Sequence, residues 1–229
     1  MGFEQDIAQL VTASSDVTGI VDTHLNGFES RVAVAEGKVD QYMVNPLLER
    51  SHYRLTKNQR LLGTDGSVPD GWSAAPNVTF KLIHTVSANT PWADRPEVEK
   101  EIMVAMGLEG HQYLMWSFNI WQVDWTEIGQ YHYTLFQKIN TSGLVTVAAM
   151  TKIISGHAHQ SWLTGAGSEW KLTGEVGYRN NLGYTHIHPN KSSDAGSFQF
   201  ALPAAVAGHV RIDQNKWGLY PYIGDTQND

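Results

Sequence analysis

The chain has 229 residues, of which 41% are hydrophobic, and it contains no cysteine, which excludes disulfide-rich scaffolds and zinc–thiolate sites. Its 8 Trp, 9 Tyr and 7 Phe can fill a core, so a fully disordered chain is excluded as well. With 16 basic and 23 acidic side chains the net charge is −7, and we expect no nucleic-acid partner. No apolar run approaches the roughly 20 residues that span a bilayer, and the start lacks the features of a signal peptide, so we expect no membrane insertion.

Residues 1–45 predict a coiled-coil trimerisation helix, because apolar residues recur there at alternating spacings of three and four. After Phe28 an extra four-residue step shifts the pattern, which is a stutter. The stripe consists of Phe3, Ile7, Leu10, Ser14, Val17, Val21, His24, Phe28, Val32, Ala35, Val39 and Tyr42. Internal glycines each cost about 1 kcal/mol relative to Ala, so association would have to stabilise this helix. The alternative is an amphipathic helix that lies on its own domain.

Asn45 and Pro46 end the helix, because the residue before a proline avoids the helical region. We assign 46–62 to a linker, whose scattered basic residues are typical of a solvated surface. A segment dense in turn residues, 63–72, then opens the third part of the chain, a head that covers 63–229.

The head changes to the two-residue period of β-strands. The predicted strands cover 77–86, 113–121, 131–139, 145–154, 170–176, 197–202 and 209–212, with turns at 141–143, 165–167 and 180–183 and one short helix at 96–106. Short strands at this spacing indicate a mainly β fold, an antiparallel sandwich or jelly roll.

The aromatic residues of the head predict a ligand surface. On the strand 113–121, alternation assigns Trp116 to the core and leaves Tyr113, Asn119 and Trp121 on an exposed face. Sugar rings stack on exposed aromatic rings while amides and carboxylates bind the hydroxyl groups. The further candidates for this surface are Asp124, Trp125, Tyr131, Trp162 and Tyr184. The alternative for each tryptophan is packing in the core.

Two His-x-His pairs predict a divalent-metal site. The pairs are His157 with His159 and His186 with His188. In an extended segment both imidazoles of a pair lie on the same side, close enough to share one ion, and three chains could supply six nitrogens. The alternative is that all four are polar loop histidines. No other cofactor is predicted.

Catalytic motifs give little support to an enzyme, since no Walker, zinc-protease, Rossmann or nucleophile-elbow pattern occurs. Asp124 and Glu127 are the best local carboxylate pair and lie beside Trp121 and Trp125. Two carboxylates across a cleft can hydrolyse a glycosidic bond. The alternative for this pair is a hydrated loop.

The opening of the chain, residues 3–11, leads into the heptad helix with its internal glycines. This combination resembles the N-terminal region of tail fibre proteins of tailed bacteriophages. In that family, short trimeric coiled coils link a virion-proximal part to a distal receptor-binding domain. The His-x-His pairs are similar to those of phage fibre tips and spikes, in which three chains together hold iron.

Residues 61–223 are similar to carbohydrate-binding jelly rolls of the galactose-binding-like type. The matching pieces are the entry that ends at 69–72, the alternating aromatic strand from Tyr113, and the closing runs 198–203, 208–213 and 217–222. The segment 87–112 is longer than in that family, the Asn-rich first strand is weak, and no calcium ligands carry over.

These resemblances imply a homotrimeric receptor-binding protein of a virion tail, assembled in the host cytoplasm and joined to other phage tail proteins through its N-terminus. Its head would bind a host cell-surface glycan, capsule or lipopolysaccharide, without catalysis. The alternatives are a glycan-degrading tailspike that uses Asp124, Glu127 or another acid pair, and a purely structural fibre or baseplate protein.

Overall fold

The computed structural model describes residues 2–43, 52–126, 133–157, 161–187, 195–214 and 217–222. The chain divides into two compact units, Met1–Ser51 and His52–Asp229. The first unit contains the helix α1 (Gly2–Met43), and the second contains all the strands. A mainly β, antiparallel fold after an N-terminal helix is therefore confirmed.

Helix α1 runs without a break for 42 residues. The hydroxyl groups of Thr12, Thr18 and Thr23 each donate to the carbonyl oxygen four residues earlier, so these side chains are satisfied within the helix. Up to Val34, where its side chains are described, its large apolar side chains are exposed in the single chain. In the described part of the chain no helix is both long and apolar enough to cross a membrane.

The β unit contains six strands and one further α-helix in its described residues. The strands are β1 (Ser73–Ala74), β2 (Val78–Val86), β3 (Phe118–Trp125), β4 (Leu135–Ser155), β5 (Lys171–Ile187) and β6 (Gly196–Ala207). Helix α2 (Glu97–Ala105) lies between β2 and β3, as predicted for 96–106. Short 3-10 turns occupy Trp92–Asp94, Ser161–Leu163 and Ile212–Gln214.

The strands form one antiparallel hydrogen-bonded network with two parts. In the first part the order is β5-β4-β6-β3-β2, and in the second part it is β5-β4-β1. Strand β1 pairs with the start of β4, whereas β6 pairs with β4 from Val145 onwards. The long strand β4 joins the two parts, because it pairs with β5 from Leu135 opposite Ile187 to Thr151 opposite Lys171. A five-stranded and a three-stranded part thus share the β4–β5 hairpin.

Two large apolar clusters and a smaller one around Val206 and Val210 form the core of the β unit in its described residues. The first combines the two parts of the network, with Trp121 and Phe198 from the five-stranded part and Leu135 and Ile187 from the three-stranded part. The second contains Phe118, Ile120, Met150 and Leu202 and is covered by Ile102 of α2, which is fully buried. Strand β3 therefore has a core on each of its faces.

Several predicted boundaries differ from the observed ones. The turns expected at 141–143 and 180–183 lie opposite each other inside the β4–β5 hairpin, where Gly143 pairs with Arg179. The strand expected at 209–212 is replaced by a 3-10 turn that starts at Ile212. Polar, glycine-rich sequence can continue a strand when its partner supplies the hydrogen bonds, and period alone does not reveal this.

The linker predicted for 46–62 is wrong for residues 52–62. Leu55 and Leu61 are buried in the first core, and Arg54 is buried with them. The backbone N–H of Leu55 donates to the carbonyl oxygen of Ala205, so this segment is fixed against β6. The scattered basic residues predict an exposed segment, but the apolar residues between them are buried and fix the segment against the core.

Candidate functional site

Strand β3 does not offer the exposed aromatic face that alternation predicts. Asn119 is 6% exposed and Trp121 is fully buried, so the predicted exposure of both is wrong. The cause is the segment around Leu61, whose carbonyl oxygen accepts hydrogen bonds from Nδ2 of Asn119 at 3.0 Å and Nε1 of Trp121 at 2.8 Å. These two side chains hold the β unit together and cannot reach a surface ligand.

The exposed aromatic surface lies just before β3, in residues 113–116, which we name the aromatic loop. Tyr113 is 65% exposed, as its ligand role would require, and Trp116 is 48% exposed, so the core position predicted for Trp116 is wrong. Arg60 lies beneath this loop: its guanidinium is 5.7 Å from the centre of the Trp116 ring, and its Nε donates to the carbonyl oxygen of Ser117 at 2.6 Å. The loop thus presents two aromatic rings on a fixed base.

Asp124 lies on a polar sheet face at the other end of β3. Its carboxylate accepts a hydrogen bond of 2.9 Å from Nε2 of Gln122, and Nε2 of Gln199 on β6 donates to Gln122 at 3.3 Å. Lys81 and Lys152 extend the same row across β2 and β4. Asp124 is therefore partly buried in an amide network, and its proposed carboxylate partner Glu127 lies outside the described residues.

Trp125 and Trp162, two further predicted ligand residues, are core residues, 3% and 0% exposed. The indole of Trp162 donates to the hydroxyl of Thr185 at 3.0 Å and packs edge-on against Trp72. The indole of Trp125 lies so close to Gly196 that a Cβ there would collide with it. Their predicted exposure is wrong, because these large rings fill the first core.

The other aromatic and histidine predictions fall partly outside the described residues. Tyr131, His159 and His188 lie in segments that are not described, and the side chain of Tyr184 is not described either. His157 is exposed. The imidazole of His186 packs between aromatic rings, 4.7 Å from the ring centre of Tyr133 and 5.7 Å from that of Phe136.

Metal binding at the His-x-His pairs stays a prediction. Among the described residues no group of three or more His, Asp or Glu side chains lies close enough together to hold a metal ion. Two ring contacts join His186 to Tyr133 and Phe136, which also pack against each other, so this imidazole lies in an aromatic setting.

A depression that sequence reasoning misses lies between four segments of the β unit, and we name it the Trp170 depression. Its walls come from the end of α2, the turn after Ser161–Leu163, the start of β5 and the turn Ile212–Gln214. Its lining residues include Ala105, Thr164, Trp170, Lys171 and Asp213. No single stretch of sequence contains this surface, so only the fold could reveal it.

A buried ionic network, also not foreseen, joins α2 to β2. Glu99 is 2% exposed and accepts hydrogen bonds from the guanidinium Nη1 of Arg95 and from His84, the latter over 2.7 Å. Nη1 of Arg95 also donates to the carbonyl oxygen of Ser87 at 2.9 Å. The helical spacing of Arg95 and Glu99, four residues, is the one sequence signal for the pair.

Comparison with known proteins yields no relatives: no protein-family model, no curated protein and no solved structure matches the chain. The function must therefore be argued from the chain's own surfaces. These are the stripe of α1, the aromatic loop, the polar sheet face and the Trp170 depression.

Proposed function

We propose that the chain is an adhesin of the tail-fibre type, which trimerises through α1 and binds a host cell-surface glycan with its β unit. The observation that carries the proposal is the apolar stripe of α1. Phe3, Ile7, Leu10, Val17 and Val21 are all about half exposed or more in the single chain. A soluble protein rarely leaves so continuous an apolar surface uncovered, so a partner surface is required.

Identical chains are the simplest partners, because the stripe has the spacing of a coiled coil and is complementary to itself. Burial of an exposed Val, Leu, Ile or Phe contributes about 1.5–3 kcal/mol, so even partial burial along the stripe would hold three helices together. Ser14 and His24 interrupt the stripe and would fix its register. The N-terminal end of such a stalk would join other tail proteins of the virion.

We further propose that the β unit is a sandwich of the jelly-roll type. The three-stranded part supplies Leu135, Ile139 and Ile187 to the same cluster as Phe198 and Phe200 of the five-stranded part. One core that receives side chains from two parts of a network is typical of a sheet that folds over on itself. This arrangement would present surface loops for binding.

The aromatic loop is the proposed contact with the glycan. Tyr113 and Trp116 are exposed, and Arg60 adds a hydrogen-bond donor beside them. Stacking on aromatic rings is weak for one sugar residue, but a trimer would carry three such loops and gain from their joint attachment. Capsule and lipopolysaccharide are repetitive polymers and suit this geometry.

The test is binding of the full-length chain to purified host capsule and lipopolysaccharide, with polymer size measured before and after incubation. We expect binding without shortening of the polymer, and a loss of about tenfold or more when Tyr113 or Trp116 is replaced by Ala. Tyr53→Ala is the matched control, because Tyr53 is also exposed but lies outside the loop. Shortened polymer would favour a tailspike enzyme, and the absence of binding would favour a structural protein.

A further inference from the structure

We propose that the Trp170 depression is a second sugar subsite, which takes a residue with an anionic substituent, and that Lys171 supplies the cation. The depression lies outside the aromatic loop, on other segments of the β unit. The proposal goes beyond general glycan binding because it names the charge of the sugar. Binding of an anionic sugar in the depression requires neither trimerisation through α1 nor the aromatic loop.

The shape of the depression comes from residues that the fold brings together. Ala105 ends α2, Thr164 and Gly165 follow the 3-10 turn, and Trp170 and Leu172 begin β5. Trp170 and Leu172 are 7% and 8% exposed, so they form an apolar floor with only their edges accessible. A concave surface with an apolar floor and polar walls is the usual form of a small-molecule site.

Lys171 provides the positive charge at this site. Its side chain is exposed, and Nζ lies over the turn, 4.0 Å from where a Cβ of Gly165 would be. Within the described part of the chain, its ammonium group forms no salt bridge with a carboxylate. An ammonium group at the wall of a concave site is a ready partner for a carboxylate or phosphate.

The one acidic side chain in the wall does not compete for Lys171. Asp213 accepts hydrogen bonds from Nε and Nη2 of Arg211 at 3.2 and 3.3 Å. The hydrogen bond from Arg211 holds the pKa of Asp213 below its usual range, so this carboxylate is charged and paired at neutral pH.

The end of α2 does not repel an anion there through unpaired carbonyl groups. The carbonyl oxygens of Ile102, Met103 and Val104 accept hydrogen bonds from the backbone N–H groups of the three residues that follow the helix. Ala105, the last residue of the helix, lies in the wall of the depression. The exposed hydroxyl of Thr164 on the facing wall can bind a sugar hydroxyl.

The experiment titrates the full-length chain with three probes, methyl β-D-glucuronide, glucose 6-phosphate and methyl β-D-glucoside, by calorimetry or ligand-observed NMR at low salt. We expect at least one anionic sugar to bind about tenfold or more tightly than the neutral one, since a charged hydrogen bond contributes this much. Tighter binding of the glucuronide would identify a carboxylate as the natural group, and tighter binding of the phosphate would identify a phosphate.

Lys171→Met should remove this preference, and Lys171→Arg should keep most of it, because the charge remains. Lys57→Met is the matched control, as Lys57 is an exposed lysine outside the depression. Equal affinity for all three probes, no binding at all, or an unchanged preference in Lys171→Met would overturn the proposal. The adhesin proposal fails separately, if the wild-type chain does not bind the polymer or if replacing Tyr113 or Trp116 by Ala leaves that binding unchanged.

Discussion

The indole Nε1 of Trp121 donates a hydrogen bond of 2.8 Å to the carbonyl oxygen of Leu61. Leu61 itself has a φ of 55°, in the left-handed region that costs a non-glycine residue about 1 kcal/mol or more. Asn119 donates to the same carbonyl oxygen at 3.0 Å. Two buried donors on β3 thus hold a strained turn of the preceding segment, and this explains why Trp121, one of the predicted sugar-binding residues, is a core residue.

Trp121→Phe should therefore lower stability but leave glycan binding unchanged. We expect a loss of about 1–3 kcal/mol from the missing hydrogen bond and the space left by the smaller ring. Urea unfolding and polymer binding of the same variant measure the two effects. If polymer binding fell while the unfolding midpoint stayed constant, Trp121 would be a ligand residue after all.

Replacing Glu99 by Gln tests the buried network between α2 and β2. The guanidinium of Arg95 would keep its charge without its carboxylate, so we expect a loss of about 3–5 kcal/mol in the free energy of unfolding. Glu101→Gln on the same helix is the control, because the Glu101–Lys152 pair is partly exposed and contributes about 1 kcal/mol or less. Equal losses of unfolding free energy in the two variants would show that the buried Arg95–Glu99 pair stabilises the protein no more than the Glu101–Lys152 pair does.

Gly174→Ala should disturb the β4–β5 hairpin. A Cβ at this position would collide with the carbonyl oxygen of Val147 and with Ala148 on the paired strand, and backbone atoms cannot move aside cheaply. We expect a loss of about 2–3 kcal/mol. Gly177→Ala on the same strand is the control, since no atom lies within 4 Å of its added Cβ. Thermal unfolding of each variant measures the effect. A Gly174→Ala variant as stable as the wild type would contradict the observed register of the β4–β5 hairpin.

Val17→Asp and Val34→Asp separate the coiled-coil stripe from the rest of α1. The two valines are similarly exposed in the single chain, 60% and 56%, but only Val17 belongs to the stripe. At 100° per residue, Val34 lies about 160°, 100° and 140° around the helix from Val32, Ala35 and Val39. Light scattering should show a trimer for Val34→Asp and a smaller mass for Val17→Asp. The same mass for both would refute the stripe as the interface.

The sequence predicts the long helix, α2 and strands β2 and β6, because each has a clear hydrophobic periodicity or turn-forming residues at its ends. It fails where the environment of a residue comes from distant segments. Trp116 and Trp121 exchange their predicted places, since β3 begins at Phe118 and the turn at Leu61 covers its other face. Period-2 alternation assumes one buried face, whereas β3 has a core on both.

The candidate surfaces were predictable to different degrees. The exposure of Tyr113 follows from the alternation, although Tyr113 lies in a loop and not in a strand. The Trp170 depression was beyond sequence reasoning, because Ala105, Thr164, Lys171 and Asp213 approach one another only through tertiary packing. The burial of Arg95 is equally invisible, as an arginine beside prolines and acidic residues is typical of a surface.

The most direct measurement of the central claim compares polymer binding by the wild-type chain with binding by the double variant Val17→Asp, Val21→Asp. Both carry the same β unit, so any difference in affinity reports the joint attachment of several heads. We predict that the wild type binds host polysaccharide about 100-fold more tightly or better than the variant, while both bind a short oligosaccharide equally. Equal affinity of the two proteins for the polymer would contradict a multivalent adhesin built on α1.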